Sequence, residues 1–225
     1  IGSQRGDGLS SFVGESPMRV KGAAGESSNE VDDFKPYVMS DGPAGLRLSM
    51  KVGVNDKGKL RDLSANPFMI QLFDFFPFTL RPFIKKLTKE KPLKKNEHLL
   101  LQECSSLPIG TALAQSWNDE YAYLLGDVVG KDMEDFHVDY WLAPGMNIHR
   151  SIRCGRNFEY YSEDPLLTGN IAASITRGVQ SHENKYVTLK HFACNNIETN
   201  RFFNNSVVDE RALREIYLSG FEIAI

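Results

Sequence analysis

Three short stretches of this chain gather side chains able to bind hydroxyls or move protons. In SDGPAGLR, residues 40–47, Asp41 stands before a Gly-Pro pair. A tight turn there can aim the carboxylate outward, where its oxygens accept hydrogen bonds from two adjacent hydroxyls; the same residue can equally cap its own loop as an Asx turn. In KHFACNN, residues 190–196, Lys190 and His191 put an ammonium donor beside a titratable imidazole, a pairing suited to gripping vicinal hydroxyls. A solitary His is commonly structural, but an unpaired ammonium at a buried strand end is costly and points to a ligand. In CGRNFEYYSEDP, residues 154–165, Arg156 offers a planar fork of fixed donors, with Glu159, Glu163 and Asp164 close in sequence. Arg156 reads as a ligand-binding residue. Glu163 and Asp164, just ahead of Pro165, read as the start of a helix running through Ile171 and Ile175.

Other chemistries lack their local signatures. There is no GxGxxG, no GxxxxGK[ST], no HExxH and no GxSxG, so nucleotide binding, zinc proteolysis and serine hydrolysis have no support. Cys104, Cys154 and Cys194 are odd in number and widely spaced, which fits neither a disulfide framework nor a CxxC site; they read as reduced structural residues. Neither metal nor cofactor is expected.

These clusters must be held by regular elements. Pro36 to Ser40 is short and apolar and runs into Asp41 as a buried strand runs into a loop; LPIGTALAQ (107–115), VDYWLAPGMN (138–147) and YVTLKHFACNN (186–196) repeat the pattern. Helical periodicity falls between them, with Tyr121, Leu124, Leu125, Val128 and Val129 on one face, and later Leu213, Ile216, Tyr217, Gly220 and Phe221. Asp209 and Glu210 supply negative charge to the first turn of that last helix. Strand then helix, repeated, makes parallel βα units. Asp41, Asn147, Lys190 and His191 all fall at the C-terminal ends of predicted strands, which favours a β/α barrel over an open doubly wound sheet.

Two stretches depart from this rhythm. Residues 1–35 are rich in Gly, Ser and charge, with GAAGES at 22–27 reading as a loop. Residues 51–106 read as an insertion, with Phe68, Phe73, Phe75, Phe76, Phe78 and Phe83 followed by Arg81, Lys85, Lys86, Lys89, Lys91, Lys94 and Lys95. The expectation is an amphipathic helical excursion with its Phe residues packed on the barrel and its Lys residues in water. Nucleic-acid or membrane binding through this basic run sits poorly with a net charge of −3, and neither partner is expected. No run of about 18 apolar residues is present to span a membrane. At 225 residues the chain suits one domain. It starts at Ile1 rather than Met and stops at Ile225 within an apolar helical pattern, so both ends are expected to be cut, and an unpaired barrel edge should make the piece poorly soluble alone. The compartment stays open, with the cytoplasm slightly favoured.

Taken in order, SDGPAGLR, LPIGTALAQSWN, APGMNIHR, CGRNFEYYSEDP, KHFACNNIETNR and DERALREIYL resemble the amino-terminal domain of glycoside hydrolase family 3. The resemblance runs from about Gly22 to Ile225, outside the insertion, and makes residues 1–225 an incomplete amino-terminal barrel domain. It implies an α/β fold, a partial (β/α)8 TIM-type barrel, followed in the whole protein by an α/β sandwich domain with the active site between them. It implies retaining hydrolysis of β-linked glucose or a related sugar, with an Asp nucleophile and a Glu acid/base. Asp41 would bind hydroxyls of the sugar in the −1 subsite, and Arg156, Lys190 and His191 would hold the same ring. KHFACNNIETNR resembles the glucosidase and xylosidase branch rather than the N-acetylhexosaminidase branch, whose KHFPGHG-like loop carries a catalytic Asp/His pair; no His is therefore assigned as general acid or base.

The resemblance also implies a departure. The nucleophile of the family sits in a TDW or SDW motif, yet Trp117 and Trp141 are the two tryptophans here and neither follows an Asp. The nucleophile and the acid/base are thus expected beyond Ile225, in a missing C-terminal part of the same protein. The chain as given would carry no catalytic carboxylate and be inactive by itself. The rival reading is a non-catalytic sugar-binding relative or remnant.

Overall fold

The computed structural model describes residues 20–27, 36–65, 73, 76–82, 85 and 88–225, together with the backbone of 3–4. Phe68, Phe75, Phe83 and Lys86, named above, lie outside the described residues.

A five-stranded sheet carries the site. Its order is β1 (Ser3–Gln4), β2 (Gly25–Ser27), β3 (Val38–Ser40), then β7 (Tyr140–Trp141) and β8 (Tyr186–Val187). The first two junctions are antiparallel; β3–β7 and β7–β8 are parallel, with Ser40 opposite Trp141 and Trp141 opposite Val187. GAAGES is accordingly half strand rather than all loop, because Gly25 and Glu26 pair with Met39 and Val38.

Helices fill the crossovers. Between β3 and β7 come α1 (Gly110–Ala114) and α2 (Asp119–Asp135), and between β7 and β8 comes α3 (Pro165–Gln180). After β8 lies α4, made of Glu210–Ala212, a π-helical stretch Leu213–Leu218 and Ser219–Ala224. The starts of α2, α3 and α4 follow from capping chemistry: Asn118 and Asp164 each accept two backbone N–H groups of the first turn, Asp209 accepts one, and Pro165 fills the first helical position of α3. Trp141, Val138, Met133, Ile171, Ile175 and Phe221 form the core between sheet and helices.

Three expectations need correction. LPIGTALAQ is not a strand: β3 pairs directly with β7, which leaves no place between them, and residues 110–114 turn helical instead. There Thr111 Oγ1 donates to the carbonyls of Asn157 and Tyr160, at 2.8 and 3.1 Å, tying α1 to the Arg156 loop. Helix α2 exists, but it buries Ala122, Gly126, Val129, Gly130 and Met133, while Tyr121, Leu124 and Val128 are exposed. Small residues set that choice, since α2 and α3 touch backbone to backbone. A Cβ at Gly126 would lie 2.2 Å from the Ile175 carbonyl oxygen, and one at Gly178 2.2 Å from that of Tyr123. The stretch 51–106 is bounded by strands, not built as one helical excursion: β4 (Lys51–Asn55) is the centre of a three-stranded antiparallel sheet between β5 (Leu60–Asp62) and β6 (Glu97–Leu101). Phe78 in it is exposed, and so are Lys85, Lys89, Lys91, Lys94 and Lys95.

Candidate functional site

Each candidate residue sits just past the C-terminal end of a parallel strand or on a loop braced against one. Asp41 follows β3. The indole of Trp141, fully buried on β7, donates from Nε1 to the Gly42 carbonyl at 2.9 Å and so fixes the turn that carries Asp41. Gly42 and Gly45 have φ of +116° and +115°, and a Cβ on Gly42 would lie 2.0 Å from the Gly45 carbonyl oxygen; the turn needs both glycines. Lys190 continues the β7–β8 ladder: it bridges Gly145 in parallel register, its N–H bonds to the Pro144 carbonyl at 3.1 Å, and its carbonyl accepts from Met146 at 2.7 Å.

The structure brings all four candidates into one cluster. Lys190 Nζ donates to Asp41 Oδ1 at 2.6 Å, with the ammonium mostly buried and the carboxylate 39% exposed. Burial would raise the Asp41 carboxyl, but the Lys190 hydrogen bond and charge, the Gly42 N–H and Arg47 outweigh it and hold the group below the usual carboxylate range. Asp41 therefore stays ionised near pH 7 and acts only as a hydrogen-bond acceptor. Beside it, His191 is pushed down to about 4, first by burial and then by the charges of Arg156 and Lys190. It is neutral near pH 7. Arg156 lies over the Tyr160 ring, 5.9 Å from its centroid, and its Nε donates to Glu159.

A second tier supports these groups. Tyr160 Oη sits 3.2 Å from His191 Nδ1 and accepts from Asn195 Nδ2 at 3.0 Å. Burial pushes this phenol up to about 12, so it keeps its proton. Asn195 also donates to Glu198 Oε1 at 3.0 Å, and Glu198 pairs with Arg201 at 3.1 Å and approaches Arg156 at 3.9 Å. Asn147 brackets His191 with three contacts of 2.9 Å. Asp164, as its sequence position suggests, is a helix cap. From the sequence, Asn147 stands at a strand end without a role, and Tyr160, Asn195 and Glu198 are not singled out. All three stand within the motifs that carry the family resemblance, so nearness to Arg156 and His191 is the available signal.

The cluster offers fixed cationic donors (Lys190, Arg156), an anionic acceptor (Asp41) and a neutral imidazole within one patch. That alternation suits a neutral, hydroxyl-rich ligand better than a strongly charged one. Among the described residues no three His, Cys, Asp or Glu side chains converge as a metal site, and no helix is long and apolar enough to cross a membrane.

Parallel strands joined by helices, with polar residues gathered at their C-terminal ends, are the arrangement of a β/α barrel. Comparison with known proteins gives the family. Residues 97–225 match the glycosyl hydrolase family 3 N terminal domain, and the chain belongs to that family. It is 50% identical over 121 residues to β-glucosidase A of Butyrivibrio fibrisolvens, covering 54% of this chain and 14% of that protein. To a β-glucosidase of Ruminococcus albus it is 53% identical over 120 residues, 53% of this chain and 13% of the relative. Among solved structures, β-glucosidase 3B from Thermotoga neapolitana in complex with glucose superposes with a TM-score of 0.68 at 38% identity, over 92% of this chain and 23% of that one. The chain thus spans less than a quarter of the length of these relatives, and its fold is part of a TIM-type barrel.

Proposed function

We propose that these residues form the sugar-binding part of a β-glucosidase-type active site, within a protein that hydrolyses terminal β-linked glucose or a related sugar with retention of configuration. The convergence of Asp41, Lys190, His191 and Arg156 supports this best, in a chain whose relatives are β-glucosidases. In this reading Asp41 accepts hydrogen bonds from two adjacent hydroxyls of the sugar in the −1 subsite. Lys190, His191 and Arg156 hold the same ring and tighten as it flattens towards an oxocarbenium-like transition state. The partner is a β-linked glycoside or oligosaccharide, and no cofactor takes part. The nucleophile and acid/base come from further polypeptide of the same protein, because Trp117 follows Ser116 and Trp141 follows Tyr140, leaving no Asp-Trp pair here. Residues 51–106 are an insertion in this domain.

A chromogenic glycoside panel tests the reading. The full-length protein should turn over a β-glucoside or β-xyloside, and in the presence of methanol should yield the β-methyl glycoside. The 225-residue chain alone should be inert. No turnover of any β-glucoside or β-xyloside by the full-length protein, an α-configured product, or robust hydrolysis by the chain alone would each contradict it.

A further inference from the structure

One residue grips His191 from several sides. Asn147, 3% exposed, lies in the loop after β7. Its Nδ2 donates to the His191 carbonyl at 2.9 Å and its Oδ1 accepts the His191 backbone N–H at 2.9 Å. Those two backbone groups orient the amide without ambiguity. A carbonyl only accepts and an N–H only donates, so turning the amide over would set donor against donor and acceptor against acceptor. The same Oδ1 lies 2.9 Å from His191 Nδ1. An amide oxygen has no hydrogen to give, so the hydrogen of this contact belongs to Nδ1. The Tyr160 hydroxyl, at 3.2 Å, is a second and longer acceptor for it.

We propose that Asn147 is a positioning residue that locks His191 in the Nδ1–H tautomer and leaves Nε2 as a hydrogen-bond acceptor. Nε2 has no partner among the described residues. The ring is half-buried, and the charged groups around it are Arg156, Lys190, Glu198 and Asp41. For its ligand the inference rests on the sugar-binding reading: Nε2 takes the hydrogen of a neutral sugar hydroxyl, whereas Lys190 and Arg156 can only donate. His191 and Asp41 are then the accepting side of the subsite, and Lys190 and Arg156 the donating side. A hydroxyl that bridges the two sides is held in one rotamer.

Long-range 1H–15N correlation spectra of protein labelled on its histidine rings, without sugar, read the tautomer directly. His191→Gln assigns the signals among the five histidines. Near pH 7 the wild-type ring should show Nδ1 protonated and Nε2 bare. Asn147→Leu should lose that preference and populate the Nε2–H form. Asn147→Asp keeps the accepting oxygen and should retain the Nδ1–H tautomer, while moving the second protonation of the ring to higher pH. A protonated Nε2 in the wild type, or an unchanged tautomer in Asn147→Leu, overturns the proposal. Should the Leu variant not fold, an unchanged ring titration in Asn147→Asp overturns it equally. Because no sugar is present, a failure to bind sugar would leave this result standing, and the reverse holds too.

Discussion

The two sheets of this molecule are held in opposite ways. In the parallel region, β3 and β7 bury Val38 and Trp141 in the core shared with α2 and α3, with Ile171 also wholly buried and the two helices in backbone contact at Gly126 and Gly178, while Tyr186 on the outer strand β8 stays 39% exposed. In the antiparallel region, β4 buries Val52, but Leu99, Leu100 and Leu101 on β6 are 46%, 42% and 45% exposed. Ion pairs do much of the cross-bracing there: Arg61 with Glu97 at 2.6 Å and Lys51 with Glu90 at 2.7 Å. Every candidate site residue comes from the parallel region or from loops anchored to it. A binding site needs side chains fixed to a fraction of an ångström, which close packing supplies more firmly than a sheet with one strand half open to solvent.

The largest effect should come from filling the helix contact. Gly178→Val would force side-chain atoms against the Tyr123 carbonyl and should cost about 3 kcal/mol, a large fraction of a typical domain's stability. Gly58, in the β4–β5 turn, has nothing within 4 Å of an added Cβ, though its φ is +73°. Gly58→Ala should cost only about 1 kcal/mol, from strain alone. Urea denaturation of both variants measures the contrast, and equal losses would break it.

A smaller effect concerns His182, which clamps α2 from the end of α3. Its Nε2 reaches Asp127 at 3.0 Å and its Nδ1 reaches Glu134 at 3.1 Å. Burial lowers its pKa, but the two carboxylates outweigh burial and raise it above the ordinary value. The stabilisation is therefore complete below about pH 6.5, the unfolded value, and is lost as pH rises through the folded one. His182→Gln should cost about 1 kcal/mol at pH 6 and less at pH 9, read by melting at both pH values. A loss independent of pH would show the ring acting through packing only.

The smallest effect belongs to the antiparallel sheet. The Arg61 hydrogen bond, with the Lys94 N–H, holds Glu97 down at about 2. This contribution is present above the unfolded value, about 4.5, and lost as pH falls towards 2. Glu97→Gln should speed amide exchange in β4 and β6 while leaving β7 and β8 unchanged. Faster exchange in both sheets would mean that they unfold as one unit.

The same contrast explains what could be read from sequence. Strands ending in chemistry-bearing loops were legible at Asp41 and Lys190 because apolar runs there stop abruptly at polar residues. The cap at Asp164 was legible because Pro165 follows it. The face of α2 was legible only in part: Val129 is buried as expected, but Tyr121, Leu124 and Val128 are exposed because the closest helix contact is made at Gly126, which carries no hydrophobic signal. Residues 107–115 look like a strand because they are short and apolar; the direct pairing of β3 with β7 and the helix at 110–114 exclude it. In the site, charge and motif singled out Asp41, Arg156, Lys190 and His191. Asn147 and Asn195 act through hydrogen bonds to particular atoms, which no spacing rule reveals.

Glucose titration by calorimetry, on the wild-type protein and on Lys190→Met, tests most directly the claim that these side chains form a sugar subsite. Saturable binding should weaken by roughly 10-fold or more in the variant, the usual scale for loss of a charged hydrogen bond, at a temperature where a cooperative melt shows both proteins folded. Glucose binding of unchanged affinity in Lys190→Met, or no binding to the wild type, would contradict it.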